Sequence, residues 1–331
     1  MSQPPFIQVN GLKKFYQARG TRGLFRKKKY VEAVGGVSFT VQRGEIFGII
    51  GESGCGKSTL GRLLVSLEKP TEGDVLIDGV SVQQLIREDP KAYHRMVQMV
   101  FQNPFDTFLP TETIEQIMLR PLEIQRLGTS REEQRNRVLT MLEDGGLSPA
   151  EDFMGRYPHE LSGGQLQRIS ILRAMVVQPL FLVVDEPVSM LDVSVRADII
   201  NMLIALSQKY GTSILFISHD IAVIRYAAQR TAVMYLGRIV EMGETDACIR
   251  DPKHPYTQAL VSNCATIDID TPVTKIRIEG EAPSPIQPGP GCYFANRCPH
   301  ATDLCRQRYP EPQTLEDGRI VACHMCQKEE S

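Results

Sequence analysis

The sequence predicts an α/β fold, a mostly parallel sheet with helices on both faces. Three observations carry that expectation. The apolar run Ile46-Phe47-Gly48-Ile49-Ile50 leads into GESGCGKST (residues 51–59) and then LGRLLVSL, which reads as strand, glycine-rich turn and helix. The same strand–helix rhythm returns over residues 181–229. Gly51, Gln102, Asp185 and His219 each fall just after a strand-like run, and in open sheets of this type ligands sit at the carboxyl ends of the strands.

In chain order, residues 6–9 and 37–41 alternate enough to suggest strands of an N-terminal antiparallel β-subdomain. Between them ARGTRGLFRKKKY (18–30) is a basic loop, read either as solvated surface or as a contact with anionic lipid headgroups beside a membrane partner. Tyr16 stands ahead of the glycine-rich turn, placed to stack on a purine or to pack on its strand. Two short strands follow at 74–78 and 97–101. From about 103 to 178 the pattern is helical with almost no strand signal, an insert in the α/β body. Within it Ser130 and Glu133 form a capping box, Val138, Met141 and Leu142 repeat at helical spacing, and Gly145 stops the helix. Strands at 181–184 and 213–217 then alternate with helices at about 195–209 and 221–229. Past 246 the composition turns to Pro, Gly and Cys, as in EGEAPSPIQPGPGC, and predicts little regular structure before Cys292.

Bulk composition narrows the function. The chain has 331 residues and a net charge of -2, which argues against a dedicated nucleic-acid partner. No run approaches the roughly 18 apolar residues that cross a bilayer, and MSQPPFIQ lacks the regions of a signal peptide, so a cytosolic protein is expected. Eight cysteines in such a protein point to thiols or metal ligands rather than disulfides, and five crowd between 292 and 326.

The residue types at the strand ends point to phosphate chemistry. Gly51, Gly54 and Gly56 let backbone wrap an anion, and the helix starting near Lys57 aims its free N–H groups at the same spot. Glu52, Ser53 and Cys55 complete the loop, with Cys55 a small packing residue. Lys57 reaches the β- and γ-phosphates, Ser58 ligates Mg²⁺, and Thr59 adds a hydroxyl near the α-phosphate. Asp185 and Glu186, after an apolar strand, are the metal-side carboxylate and the base that orients water. His219 is placed to contact the γ-phosphate, and Gln102 to orient water or join the Mg²⁺ shell with Ser58 and Asp185. Ser162, Gly163, Gly164 and Gln165 in LSGGQ read as an ordinary helix cap, or as a second phosphate grip completing a site on another subunit.

The ordered set GESGCGKST, FQNP, LSGGQ, FLVVDEP, SMLD and ISHD resembles the ATP-binding cassette ATPases over about residues 5–245. The resemblance implies that Tyr16 stacks on adenine and that Gln102 senses Mg²⁺ and couples to a membrane partner. It also implies that Ser162, Gly163 and Gly164 grip the γ-phosphate of an opposing subunit, with Asp192 in the loop linking two composite sites. SMLD departs from the commoner S-A-L-D.

The tail, with HPYTQAL (254–260), GCYFANRCPHATDLC and VACH, is similar to the C-terminal extension of ATPases that energise bacterial di- and oligopeptide importers. Members of that group also move nickel, glutathione or sugars. The resemblance implies an ATPase domain over 1–245, an extension over 246–331, a second cassette that is often a paralogue, two membrane permeases and an extracytoplasmic substrate-binding protein, with the chain peripheral on the cytoplasmic face of the membrane. NPFDTFLP (103–110) departs from the usual N-P-x-x-S-L-N-P of that group. A soluble cassette regulator with a metal-sensing tail is the rival reading. Cys292, Cys298, Cys305 and Cys323, spaced x5, x6 and x17, suit a tetrahedral sulfur site for zinc or an iron–sulfur cluster. Spacing alone does not choose; the resemblance implies a [4Fe–4S] cluster, with Cys326 able to replace Cys323.

Overall fold

The computed structural model describes residues 4–18, 29–263, 276, 280, 286 and 288–326. Most of the basic run, 19–28, and half of EGEAPSPIQPGPGC lie outside them. The chain forms two compact units, and each is built differently.

The first unit comprises Met1–Phe6, Val41–Ile46 and Ile77–Ile217. Its sheet core is parallel: Val97–Val100 pairs with Phe181–Asp185, which pairs with Ser213–Ser218. Every residue of the last two strands is buried, which is why they read as unbroken apolar runs rather than alternating ones. The helical insert follows as Ile114–Gln125, Arg131–Asp144, Glu151–Met154 and Gly163–Met175. Val138, Met141 and Leu142 are buried on one face of their helix. The Ser130 capping box forms by half. Ser130 Oγ accepts the Glu133 N–H at 3.1 Å, but the Glu133 carboxylate turns to the N–H and hydroxyl of Thr129, 2.7 and 2.8 Å away. A hydroxyl and an amide of one residue offer more than the single N–H of the cap.

The second unit comprises Ile7–Thr40, Phe47–Leu76 and Ser218–Ser331. Here Ile46–Ile50 runs parallel to Arg230–Tyr235, with Ile50 opposite Val233. That strand folds back as a hairpin on Arg238–Glu244, which carries the short strands Ile320–Val321 and Gln313–Thr314. The N-terminal antiparallel sheet is built on Tyr30–Val41, Ile7–Gln17 and Glu72–Ile77, longer strands than the sequence pattern marked.

The tail corrects one expectation. Residues after 246 were to hold little regular structure before Cys292, yet helices Thr245–Arg250 and Pro255–Ser262 occupy that stretch. His254 starts the second of them, its Nδ1 accepting the Tyr256 N–H at 3.0 Å. Complete burial pushes this imidazole down to about 3, which leaves the ring neutral with an acceptor nitrogen. Tyr256 and Phe294 from the tail join Val233, Tyr235, Leu236 and Val240 in one buried cluster. No helix among the described residues is long and apolar enough to cross a membrane.

Candidate functional site

In the second unit the glycine-rich loop leaves the strand at Gly51 and enters the helix Lys57–Leu64. Gly56 has φ +105, and a Cβ there would lie 2.1 Å from the Ala33 carbonyl oxygen. A Cβ on Gly51 would lie 2.2 Å from the Met234 carbonyl oxygen, so two backbone approaches pin the loop at its ends. Lys57 is buried, and its ammonium donates to the carbonyls of Gly51 and Glu52 at 2.8 and 3.0 Å. Ser53, Gly54, Ser58 and Thr59 complete the loop and the first helical turn, while Cys55 packs inside with its thiol pushed up by burial. Tyr16 is half-buried on its strand, where its hydroxyl donates to Glu68 and the Lys14 ammonium lies 5.1 Å from the ring centre. Burial first, then the Glu68 carboxylate, raises this phenol to about 12, so it stays protonated. His219 follows the end of Ser213–Ser218 and is exposed, and Asp220 caps the next helix through the N–H groups of Ala222 and Val223.

In the first unit Asp185 ends its strand at 4% exposure. Glu186 follows in the left-handed region, at φ +47, which strains any residue with a Cβ. The turn is held from both sides, because the Glu186 N–H donates to the Ile217 carbonyl at 2.9 Å and its own carbonyl accepts from Ser189 Oγ at 3.1 Å. Gln102, just past Val97–Val100, reaches the carboxylate: its Nε2 donates to Glu186 Oε2 at 3.2 Å. An amide 84 positions away in sequence thereby orients the acidic side chain, a partnership no local pattern reveals.

LSGGQ forms a reciprocal cap. Gln165 N–H donates to Ser162 Oγ at 3.3 Å and Ser162 N–H donates to Gln165 Oε1 at 3.0 Å, opening the helix Gly163–Met175. A Cβ on Gly163 would meet only Leu191 Cδ2, at an ordinary 3.9 Å, whereas a Cβ on Gly164 would lie 2.7 Å from Val195 Cγ1. Asp192 precedes the helix Val193–Tyr210. The NPFDTFLP segment borders a groove of about 380 Å³ with Met99, Phe101, Leu109, Ile117 and Ile124, where Leu109 and Ile124 are more than half exposed.

The tail gathers Cys292, Cys298, Cys305 and Cys323 around one small cavity of about 20 Å³, lined also by Phe294 and Pro310. Burial, reinforced by the neighbouring Cys305, Cys323 and Cys298, pushes the Cys292 thiol up to about 11. Cys326 is hydrogen-bonded to Cys323, which lowers Cys326 to about 7 and raises Cys323. Cys326 is not among the cavity's lining residues. The donor set fits a thiophilic centre in its chemistry, but among the described residues no three His, Cys, Asp or Glu side chains stand in position to hold a metal ion.

Residues 34–189 match the family described as ABC transporter, and residues 240–305 match the one described as oligopeptide/dipeptide transporter, C-terminal region. A di/tripeptide transport ATP-binding protein of Pseudomonas aeruginosa is 46% identical over 92% of this chain and 93% of its own length. A putative oligopeptide transport ATP-binding protein of Bacillus subtilis is 43% identical over 100% and 98%, and a dipeptide transport ATP-binding protein of Escherichia coli is 42% identical over 99% and 97%. Among solved structures, an ATP-binding cassette dimer in a post-hydrolysis state with ADP and phosphate aligns at TM-score 0.63 and 29% identity, covering 72% of this chain and 98% of that one.

Proposed function

Because this chain belongs to the ATP-binding cassette transporter family and is an ATPase, we propose that it powers uptake of di- and oligopeptides at the cytoplasmic face of the cell membrane. The observation that carries the reading is the pairing of the two matched regions in one chain, a cassette followed by the peptide-transporter extension. On this reading residues 1–245 are the ATPase domain and 246–331 the extension. Lys57 and the loop amides hold the triphosphate, Ser58, Asp185 and Gln102 hold Mg²⁺, and Tyr16 meets the adenine. Glu186, oriented by Gln102, positions the attacking water, and His219 meets the γ-phosphate. Ser162, Gly163, Gly164 and Gln165 close on the nucleotide of a second cassette, with Asp192 beside them, and the groove at Leu109 and Ile124 offers apolar surface for a permease. An extracytoplasmic binding protein delivers the peptide. The four cysteines would hold a [4Fe–4S] cluster once binding drew their thiols into position, and the cluster would order a segment poor in core; zinc is the alternative.

The test is reconstitution. Co-expressed with its genomic neighbours, the chain should co-purify with two permeases and a second cassette, and show MgATP turnover stimulated by peptide-loaded binding protein. MgATP should also draw the Glu186→Gln form into contact with the second cassette. A chain that hydrolyses ATP at full rate alone and binds no permease would overturn the proposal.

A further inference from the structure

Glu52 lies inside the glycine-rich loop, and the tail grips it at both ends. The Arg297 guanidinium meets its carboxylate with two parallel contacts, Nη1 to Oε2 at 3.0 Å and Nη2 to Oε1 at 3.2 Å. Tyr256, fully buried in the helix Pro255–Ser262, accepts the Glu52 backbone N–H on its hydroxyl at 2.9 Å. The Glu52 carbonyl in turn accepts from Lys57. One residue therefore joins the ammonium expected to meet phosphate to two side chains more than 200 positions further along the chain.

The grip is rigid. Arg297 also donates to the Tyr235 hydroxyl at 3.2 Å, and its side chain is only 9% exposed. Tyr235, Tyr256 and Phe294 pack ring on ring, with centroids 4.6, 5.3 and 5.5 Å apart. A half-buried two-point guanidinium–carboxylate pair holds geometry far better than a surface ion pair. Its charge matters as much as its shape. A bare carboxylate within a loop that receives a triphosphate repels it, and Arg297 neutralises that carboxylate from the side of the tail.

We propose that Arg297 and Tyr256 are positioning residues for nucleotide binding: the C-terminal segment neutralises and orients Glu52, and so sets how tightly the loop holds ATP. The proposal rests on residues 51–59 being the nucleotide seat. It gives the extension a role in ATP affinity beyond holding itself to the body. Arg297 directly precedes Cys298, so the cysteine segment and the phosphate loop share this connection.

The test compares steady-state ATPase and equilibrium ATPγS binding for the full chain and its variants, with thermal melts alongside. Arg297→Gln should raise KM and the ATPγS dissociation constant about 10-fold while kcat stays within about 2-fold, the mark of lost ground-state binding. Adding Glu52→Gln should recover most of that affinity, because the repelling charge is gone, while the melting temperature stays low. Tyr256→Phe keeps the ring and should raise KM by a few-fold. Unchanged KM in both Arg297→Gln and Tyr256→Phe, or no recovery in the double variant, would overturn the proposal and leave the contacts as anchors of the tail. If Arg297→Gln does not fold, Tyr256→Phe and Arg297→Lys decide by the same readouts. Failure of wild-type chain to bind ATPγS would instead remove the nucleotide seat itself.

Discussion

Arg319 Nη1 stands 3.5 Å from Glu241 Oε1, and neither side chain has meaningful contact with solvent, at 4% and 0% exposure. Glu241 also accepts the backbone N–H groups of Lys253 and His254 at 2.9–3.1 Å, so one buried carboxylate anchors the turn that leads into the tail. Arg319→Met leaves that charge without its cation and should cost about 3–5 kcal/mol in urea unfolding. Glu241→Gln keeps an oxygen for one of the N–H groups and should cost less, about 1–3 kcal/mol. Equal losses would mean that Arg319 acts through packing rather than charge.

Glu241 and Arg319 are 78 positions apart, and neither announces itself in the sequence. What was legible there was local and regular: buried parallel strands as apolar runs, the loop from Gly51 to Lys57, the Ser162 cap. The hairpin at Arg230–Tyr235 and Arg238–Glu244 was not. Its turn is Leu236–Gly237, with φ +43 and +80, and leucine in that conformation lacks the asparagine or aspartate that usually marks such a turn. The helix Pro255–Ser262 was hidden by an imidazole acting as its cap, outside the usual Ser, Thr, Asp and Asn. The candidate-site residues were recognisable as types, but the partners that orient them, Gln102 for Glu186 and Arg297 for Glu52, come from tertiary distance alone.

Glu186→Gln should lower ATP turnover by on the order of 10²-fold or more with ATP binding retained, since an amide cannot accept the proton of the attacking water. Gln102→Ala removes the donor 3.2 Å from that carboxylate and should lower kcat about 10-fold with a smaller change in KM. Turnover equal to wild type in Glu186→Gln would take the base role away from this residue.

The two glycines of LSGGQ separate folding from function. Alanine at Gly163 meets only Leu191 Cδ2 at 3.9 Å, an ordinary contact, so Gly163→Ala should melt within a degree or two of wild type. Alanine at Gly164 presses on Val195 and should cost about 1–3 kcal/mol. If the motif grips a partner's nucleotide, Gly163→Ala still loses about 10-fold or more in turnover and weakens ATP-dependent pairing in light scattering. Full activity in this variant would reduce LSGGQ to a helix cap.

Asp144 carries an acid-dependent part of the stability. It accepts from Lys209 at 2.6 Å and from the Tyr210 hydroxyl, tying Arg131–Asp144 to Val193–Tyr210. Burial alone would raise its carboxyl, but these hydrogen bonds outweigh it and the net shift is downward from 3.8. A lowered folded-state value contributes stability that is complete above the unfolded value and fades as pH falls through the folded one. Asp144→Asn should therefore be less stable than wild type at pH 7, by at most about 1 kcal/mol, and the gap should close below pH 3.8. A gap constant from pH 7 to pH 2.5 would sink this assignment.

Cysteine substitution and metal analysis decide the tail. Cys323 lines the small cavity with Cys292, Cys298 and Cys305, while Cys326 bonds to Cys323 from outside the lining. Anaerobically purified protein should hold about four iron and four sulfide per chain, with broad visible absorption. Cys323→Ser should lose both, and Cys326→Ser should keep them, because only the first removes a thiol from the cavity wall. About one zinc per chain, lost in the same variants, would select the zinc alternative; no metal in any preparation would return all four to free thiols. The order of losses separates a structural from a sensing role. A segment with few core residues depends on its local bonds, so metal removal should lower the melting temperature before it lowers kcat. A sharp fall in kcat at unchanged melting temperature would favour the soluble sensor over the importer subunit.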